Sequence, residues 1–227
     1  MNIDTSVAVV TGGNRGFGRQ LVTQLIERGA KVYAAARNPE SVDVPGAVPL
    51  RLDITDPDSV AAAARIASDA TLLINNAGIS THTNLLDGDL DQVRLEMETH
   101  FFGTLGVTRA FAPLIERNGG GAILNVLSIL AWAHLPDYGA YSAAKAASWA
   151  MTDAVRRQLA PKGIHVAGLY VAYMDTDMAS YVPAEQKSDP ALIAAAALDG
   201  IESGAAEIIA DELTRSVKAS LSAPPAP

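Results

Sequence analysis

Short apolar runs alternate with longer stretches of helical periodicity along almost the whole chain. Each apolar run is largely continuous and is closed by glycine, proline or polar residues, which is typical of strands buried on both faces of a parallel sheet. The pattern predicts six such strands and a short seventh: Ser6–Thr11, Lys31–Arg37, Ala47–Thr55, Thr71–Gly78, Gly120–Ser128, Gly163–Val171 and Glu207–Ala210. Most of the segments between them predict helices, the clearest of which begin near Phe17, Asp56, Asp89 and Tyr138.

This alternation of strands and helices predicts the fold class. Strand–helix–strand units make right-handed crossovers, so we expect an α/β fold, a doubly wound parallel sheet of about seven strands with helices on both faces. No linker or internal repeat divides the sequence, and residues 1–221 are therefore expected to form a single domain. The proline-rich end, residues 222–227, is expected to be a flexible tail.

The composition narrows the functional classes. A net charge of −8 over 227 residues, with no basic run, argues against a nucleic-acid partner. The chain has no cysteine and its four histidines show no ligand spacing, so no metal site is expected. The sequence shows neither a signal-peptide pattern nor a stretch suited to cross a bilayer, and we expect a cytoplasmic protein without membrane association.

A glycine-rich turn lies between the first strand and the first helix. Gly12 permits a tight turn, Gly16 lets the backbone approach a pyrophosphate at the helix N-terminus, and Gly18 permits close helix–strand packing. The position of this turn after the first strand favours a dinucleotide site over an ordinary loop. The candidate cofactor contacts in the turn are Gly12, Asn14, Arg15, Gly16, Phe17 and Gly18.

The end of the second strand indicates which dinucleotide is bound. An NAD site usually carries an acid there for the ribose 2′-hydroxyl, but this strand ends in Arg37. Because guanidinium groups match phosphate geometry, Arg37 and Arg15 predict NADP(H) in preference to NAD(H). The alternative is that both arginines are solvated surface residues. Asp53, after the third strand, is placed either to accept from the adenine amino group or to stabilise a loop turn.

A candidate catalytic group lies near the start of the helix after the fifth strand. Tyr141 and Lys145 are four residues apart and share one helix face. A nearby ammonium is expected to lower the pKa of the Tyr141 phenol and to suit it for general acid/base work on a substrate oxygen. Ser128, at the end of that strand, is placed to hydrogen-bond the same oxygen. The alternative is that this pair simply lies on a helix surface.

Four motifs occur together in a characteristic order. They are TGxxxGxG at Thr11–Gly18, NNAG at Asn75–Gly78, Ser128, and YxxxK at Tyr141–Lys145. In this combination the chain resembles the short-chain dehydrogenase/reductase family over nearly its whole length, from Val7 to about Leu221. The resemblance implies a Rossmann fold and NAD(P)-dependent oxidoreduction.

The same resemblance implies roles for individual residues. Tyr141 would be the acid/base, Lys145 would bind the nicotinamide ribose and support Tyr141, and Ser128 would orient the substrate carbonyl. The remaining cofactor contacts that it implies are Asn75, Ala77 and Gly78 beside the adenosine ribose, and Thr176 at the nicotinamide carboxamide.

Two departures from the family pattern affect this interpretation. The family usually has Asn-x-x-Gly in the long fourth helix, where the asparagine holds a water that relays protons to the lysine, whereas this chain has His100 there. His100 is therefore a catalytic candidate. Proton transfer to the lysine through its position would be rearranged, pH-sensitive or impaired. The alternative is that the histidine is a tolerated packing change. Val171–Met174 also replaces the usual Pro-Gly before Thr176, which removes glycine's conformational freedom there.

The residues around Tyr141 indicate an apolar and aromatic substrate pocket. The candidates are Leu130, Trp132, His134, Leu135, Tyr138 and Tyr173. This lining favours a small hydrophobic carbonyl or alcohol, with core packing as the alternative for Trp132 and Leu135. Apolar residues on more than one face of the two long helices, together with the resemblance, predict a homodimer or homotetramer.

These observations predict reversible, NADPH-dependent reduction of a ketone or aldehyde to an alcohol, with hydride from nicotinamide and the proton from Tyr141. One alternative is an epimerase or dehydratase that uses a similar Tyr/Lys pair, although such relatives usually have a larger C-terminal substrate domain. The other is an NADP-binding sensor or scaffold protein with weak or no turnover, which the histidine at position 100 favours.

Overall fold

The computed structural model describes residues 1–223 as a three-layer α/β domain built on one parallel sheet. The strands are β1 (Val7–Thr11), β2 (Lys31–Ala36), β3 (Val48–Arg51), β4 (Leu72–Asn75), β5 (Gly121–Val126), β6 (Ile164–Tyr170) and β7 (Glu207–Ile209). Their order is β3-β2-β1-β4-β5-β6-β7 and every pair is parallel. The α/β Rossmann architecture is therefore confirmed, and the strand order reverses between β1 and β4, where such sheets open a ligand crevice.

Within residues 1–223, seven α-helices cover the two faces of the sheet. They are α1 (Gly16–Glu27), α2 (Pro57–Ile66), α3 (Leu90–Met97), α4 (Thr104–Arg117), α5 (Gly139–Leu159), α6 (Pro190–Glu202) and α7 (Glu212–Ser220). Successive strand residues point to opposite faces, so Val10 packs with α1 and α6 while Val9 packs with α2 and α4. Each face therefore has its own apolar layer, which explains why the strands read as continuous hydrophobic runs.

The predicted helix over Asp89–Arg117 is interrupted in the structure. A π-helical turn, Glu98–Gly103, separates α3 from α4. The Ser148 hydroxyl, on α5, donates a hydrogen bond of 2.9 Å to the backbone carbonyl of His100 within this turn. A π-helical turn inserts one extra residue into a helix and is frequent at functional sites.

Other differences concern the ends of the chain and one helix. The helix α6 begins after Asp189, whose side chain caps it, and it was not among the helices that the periodicity singles out. The predicted flexible tail, residues 222–227, lies mostly outside the described residues, which end at 223. Within the described part, every helix is too short or too polar to span a bilayer.

Candidate active site

The crevice at the carboxyl ends of the strands collects most of the predicted site residues. The glycine-rich turn follows β1, the Asn75–Gly78 segment follows β4, and Ser128 follows β5. Tyr141 and Lys145 enter from the first two turns of α5, and Thr176 enters from the loop after β6. The parallel sheet brings these separate segments to one edge, as expected for a doubly wound fold.

The glycine-rich turn has the geometry that its sequence predicts. Gly12 and Gly16 have φ values of +64° and +53°, which favour glycine. A Cβ on Gly18 would lie 2.0 Å from the Gly12 carbonyl oxygen, so only glycine permits this contact between α1 and the turn. The Asn76 side chain secures the turn by donating to the Thr11 carbonyl at 2.8 Å. Asn76 is a functional residue that the sequence reasoning missed, although the second asparagine of NNAG was a visible signal.

The start of α1 fits a bound dinucleotide phosphate. Arg15 is the N-cap residue, and its side chain makes no capping hydrogen bond. The first turn of the helix carries no acidic residue, so its backbone N–H groups and dipole present an electropositive end to the crevice. The Thr176 side chain lies opposite, 3.5 Å from where a Gly16 Cβ would stand. A side chain at position 16 would thus narrow the channel that a pyrophosphate needs.

The polar residues around the turn lie at the surface. Arg15 reaches across the crevice to Asp177, with 3.3 Å between Nη1 and Oδ2, and both side chains are more than 70 % exposed. The amide nitrogen of Asn14 donates to the Ser41 hydroxyl at 3.0 Å. Arg37 is exposed directly after β2. Arg37 is therefore accessible to a ligand, whereas Arg15 is paired with Asp177.

Asp53 stabilises a loop turn, which was the alternative to its predicted role as an adenine contact. Its Oδ1 accepts from the Thr55 hydroxyl at 2.7 Å and from the Thr55 amide at 3.0 Å. These hydrogen bonds, helped by the charge of Arg37, hold the pKa of the Asp53 carboxyl below its ordinary value. One carboxylate oxygen is therefore committed to the loop.

Asn75 departs from its expected place beside the adenosine ribose. Its side chain is buried and donates to Asn125 at 2.8 Å and to Thr108 at 3.1 Å. The amide thus links β4 to β5 and α4, because a buried amide has to find partners in the core. Ala77 and Gly78 do border the crevice segment after β4, and the Ala77 amide donates to Thr11 Oγ1 at 2.9 Å.

The catalytic candidates Ser128, Tyr141 and Lys145 lie together. Lys145 is only 7 % exposed, its Nζ donates to the Val126 carbonyl at 2.9 Å, and it lies 5.4 Å from the centre of the Tyr141 ring. The Ser128 hydroxyl accepts a hydrogen bond from the Leu130 amide at 3.1 Å, and it lies near enough to the Tyr141 phenol to favour a lower pKa of that phenol. The spacing of four along α5 therefore brings the amine and the phenol to the same buried corner.

The pKa values at this corner differ from the expectation. Burial lowers the pKa of Lys145 to about 8, against the opposing charge of Glu96. Burial and the nearby Glu96 raise the pKa of Tyr141, although the neighbouring Ser128 hydroxyl acts in the opposite direction. The structure therefore does not support the predicted lowering of the phenol pKa. The main physical reason is burial, which disfavours the charged phenolate, and the carboxylate of Glu96 adds to it.

His100 lies in this corner as the sequence suggested, but with an unforeseen partner. Its Nε2 lies 2.9 Å from the Ile79 carbonyl and 3.2 Å from Oε2 of Glu96. Its ring meets the Tyr141 ring edge-on with 5.1 Å between centroids. Burial and the charge of Lys145 lower the pKa of His100, and the contact with Glu96 only partly offsets them.

Glu96 is the second residue that the sequence reasoning missed. It is fully buried on α3, one helical turn before His100, and its Oε1 accepts from the Thr81 amide at 2.6 Å. Burial opposes its charge, but the nearby His100 and the hydrogen bond from the Thr81 amide prevail and hold its pKa below the ordinary value. A carboxylate four residues before a histidine was a visible signal, but the spacing alone did not show that both are buried.

The predicted substrate-lining residues separate into two groups. Leu130 is buried beside Ser128, whereas His134 and Leu135 are exposed in the following loop. Trp132 stacks on Tyr170 at 4.1 Å, and Nζ of Lys218 from α7 lies 4.6 Å from its ring centre. Trp132 therefore packs in a core cluster beneath α7, which corrects its assignment to the substrate pocket.

Aromatic rings form a cluster beside Tyr141. Tyr138 packs against His82 at 5.1 Å, and Tyr181 contacts His82 at 4.9 Å and Tyr173 at 6.4 Å. Burial and the nearby Tyr181 raise the pKa of Tyr138 to about 12. Tyr138 and Tyr173 thus lie in one aromatic wall, which also contains His82 and Tyr181. Within residues 1–223, no group of three or more acidic or histidine side chains is arranged to hold a metal ion.

Comparison with known proteins places these features in context. The family model of short chain dehydrogenases matches residues 6–187. A short chain dehydrogenase from Burkholderia cenocepacia, solved in complex with NADP, has a TM-score of 0.94 and 43 % identity, covering 98 % of this chain and 95 % of that one.

Two curated relatives extend the comparison. Dehydrogenase/reductase SDR family member 7B of Bos taurus is 29 % identical over 78 % of this chain, which spans only 60 % of the bovine protein. The 3-oxoacyl-(acyl-carrier-protein) reductase of Vibrio cholerae is 28 % identical, over 83 % of this chain and 81 % of that protein.

Proposed function

The chain belongs to the short-chain dehydrogenase family, and from this premise we propose that it is an NADPH-dependent carbonyl reductase. The observation that carries the proposal is the buried corner in which Ser128, Tyr141 and Lys145 meet beside the glycine-rich turn. The family establishes NAD(P)-dependent oxidoreduction. The reduction of a ketone or aldehyde, and the preference for NADPH, are the parts that we propose.

The proposed chemistry assigns one task to each side chain. Bound NADPH supplies the hydride for the carbonyl carbon. The Ser128 hydroxyl donates a hydrogen bond that orients the carbonyl oxygen, and Tyr141 gives its proton to that oxygen, so that the phenol O–H bond breaks as the alcohol O–H bond forms. Lys145, cationic below a pKa of about 8, stabilises the phenolate that remains and binds the nicotinamide ribose.

The preference for NADPH rests on Arg37 and Arg15. Neither the end of β2 nor the first turn of α1 carries an acid that would favour a 2′-hydroxyl. We expect Arg37→Gln to weaken NADPH binding by roughly 10- to 100-fold, since a hydrogen bond to a charged group contributes about 1.5–3 kcal/mol. NADH binding, measured by the same fluorescence titration, should stay unchanged. Equal loss for both cofactors would contradict a role at the 2′-phosphate.

The substrate class follows from the aromatic wall. Tyr138, Tyr173, Tyr181 and His82 offer ring faces and hydroxyls, and none is a lysine or an arginine that would hold a substrate phosphate. This lining fits a hydrophobic ketone or aldehyde. The Vibrio cholerae relative, named as a reductase of a 3-oxoacyl group, is consistent with carbonyl reduction as the reaction class.

The deciding experiment is a panel assay of NADPH oxidation with hydrophobic ketones and aldehydes, beside a titration of NADPH binding. Turnover with at least one carbonyl supports the reductase. Tight NADPH binding without turnover on any of them would favour the alternative, an NADP-binding sensor. The specific observation behind that alternative is the raised pKa of Tyr141 beside the buried Glu96–His100 pair.

A homodimer or homotetramer is part of the proposal. A groove of about 340 Å³ lies between α2 and α4, and it is lined by Val60, Phe102 and Gly106 among others. Phe102 is 52 % exposed there, which suits a contact with a second copy. Light scattering at micromolar concentration should give at least twice the monomer mass, and Phe102→Asp should lower it. A monomeric mass for the wild type would contradict this assembly.

A further inference from the structure

Glu96 is a buried carboxylate that the proposed reaction does not use. Its side chain is 0 % exposed. Its Oε1 accepts a hydrogen bond from the Thr81 amide. Its Oε2 lies 3.2 Å from Nε2 of His100 but makes no hydrogen bond with any described residue. Removing a carboxylate from water is costly. The Thr81 amide and the nearby His100 nevertheless hold the pKa of Glu96 below its ordinary value, so the group keeps its charge in the fold.

The position of Glu96 is explained by what lies beyond it. The His100 ring stands between the carboxylate and Tyr141, and it meets the Tyr141 ring edge-on at 5.1 Å. His100 itself is held by the Ile79 carbonyl at 2.9 Å and is packed against Gly78. The negative charge thus lies one side chain away from the reactive phenol, and both Glu96 and His100 are buried.

The other charged or titratable groups that face this corner are few. Lys145 lies 5.4 Å from the Tyr141 ring centre on α5, and Tyr181 approaches from the loop after β6. Ser128 contributes a neutral hydroxyl to the same corner. Lys145 and Glu96 are therefore the charged pair at this corner, and they act on the phenol with opposite signs.

The electrostatic consequence follows from the sign of each charge. An anion disfavours a nearby phenolate and favours a nearby ammonium, and both effects are large where the dielectric constant is low. In agreement, Glu96 contributes to the raised pKa of Tyr141 and resists the lowering of the pKa of Lys145. The carboxylate therefore opposes loss of the proton that carbonyl reduction requires.

We propose that Glu96 is a positioning residue whose buried negative charge holds the proton on Tyr141, so that alcohol oxidation by this site requires a higher pH than carbonyl reduction. The statement about the pH that alcohol oxidation requires rests on the proposed function. In reduction, Tyr141 enters protonated and gives its proton to the substrate oxygen. In oxidation, a deprotonated Tyr141 has to accept the alcohol proton while hydride leaves the carbon. The overall equilibrium is unchanged, and only the pH range of each direction depends on Glu96.

The first test measures Tyr141 without cofactor or turnover. Tyrosinate absorbance is titrated in the protein and in its Tyr141→Phe variant, and the difference reports the Tyr141 phenol. Glu96→Gln and Glu96→Leu both remove the charge, and both should shift this titration to lower pH by about one unit or more. Glu98→Gln is the matched control, since it removes an exposed charge two residues along the chain. The control should leave the titration unchanged.

The second test uses the pH dependence of kcat/KM for alcohol oxidation with NADP. The alkaline rise should move to lower pH in both Glu96 variants by the same amount as the absorbance titration, and Glu96→Asp should restore part of the wild-type position. Glu96→Leu also leaves the Thr81 amide without its partner, so its urea unfolding midpoint at neutral pH should fall below that of the wild type. A structural role alone would lower the midpoint and leave the phenol titration in place.

The outcomes are separable. An unshifted phenol titration in Glu96→Gln and Glu96→Leu, or an equal shift in Glu98→Gln, would overturn the inference. A shifted titration in a protein that turns over no carbonyl or alcohol would support the charge effect while rejecting the proposed function. Shifts of equal size in the titration and in the oxidation profile would support both.

Discussion

The two halves of the crevice are built by different physical means. The nucleotide half is made from backbone: glycines at positive φ, free N–H groups at the start of α1, and charged side chains that lie in solvent, such as Arg15. The catalytic half is made from buried titratable side chains, with Lys145 at 7 % exposure, His100 at 3 % and Glu96 at 0 %. Shape dominates the first half and electrostatics dominates the second.

This difference determines how each half responds to substitution. In the nucleotide half, an added methyl group changes binding because the backbone has no space for it. In the catalytic half, a change of charge alters both the chemistry and the stability, because buried charges interact strongly and are costly to desolvate. The two halves should therefore be separable by experiment.

The largest expected effect is in the catalytic half, from Tyr141→Phe. Loss of a general acid should lower kcat for carbonyl reduction by about 10²- to 10⁴-fold, while NADPH affinity stays unchanged. Tyr33→Phe is the matched control, because its hydroxyl bonds Asp69 and Lys31 on a part of the sheet outside the crevice. An equal loss of activity in both variants would contradict the assignment.

A large effect on stability is expected from Lys145→Met in the same half. The pKa of Lys145 falls to about 8 on folding, so the unfolded chain binds more protons between about pH 8 and 10.5. The buried Lys145 ammonium should lower the free energy of unfolding of the wild type by its full amount below pH 8. This destabilisation should vanish as the pH rises to 10.5.

At neutral pH the methionine variant should therefore be more stable, by on the order of 3 kcal/mol, and this advantage should disappear near pH 10.5. Urea unfolding at the two pH values measures the difference. A variant that is less stable than the wild type at neutral pH would show that the ammonium contributes favourably to folding. Its activity should be lost in either case.

An intermediate effect is expected in the nucleotide half from Gly18→Ala. The new Cβ would stand 2.0 Å from the Gly12 carbonyl, so α1 or the turn has to move. Overpacking of this kind typically costs about 1–3 kcal/mol, and NADPH affinity should fall with it. Denaturation and cofactor titration measure the two losses. A full-affinity, fully stable variant would show that the turn is not the rigid element that we describe.

The smallest effect is expected from Asp177→Asn at the surface of the nucleotide half. It breaks the exposed contact with Arg15, and such pairs contribute about 0.2–1 kcal/mol. NADPH affinity should rise by less than about fivefold, and the gain should fade at high salt. A loss of affinity would indicate that Asp177 itself helps to bind the cofactor.

The same contrast explains what could be predicted from the sequence. The glycine turn was predictable because Gly12, Gly16 and Gly18 act locally, through backbone geometry that a short motif encodes. Tyr141 and Lys145 were predictable as a pair because four residues along one helix fix their face. The raised pKa of Tyr141 was not predictable, because it depends on burial and on Glu96, and both arise only after α3 and α5 have packed.

Burial also explains the residues that were assigned elsewhere. Asn75 belongs to the same motif as Ala77, but the pleat of β4 turns its side chain into the core, where Asn125 and Thr108 bind it. Trp132 follows Ser128 by four residues, yet it stacks on Tyr170 beneath α7. Neither direction is encoded in the local pattern, since each depends on partners at least 30 residues away in sequence.

The π-helical turn at Glu98–Gly103 makes the length of this segment as important as its composition. Because the turn already absorbs one extra residue, a single-residue deletion there would restore a regular helix and keep α3 and α4 in their present orientation. The side chains inside the turn, His100 among them, would instead change direction. Natural or engineered variants should therefore tolerate substitutions in this segment far more readily than a single-residue deletion.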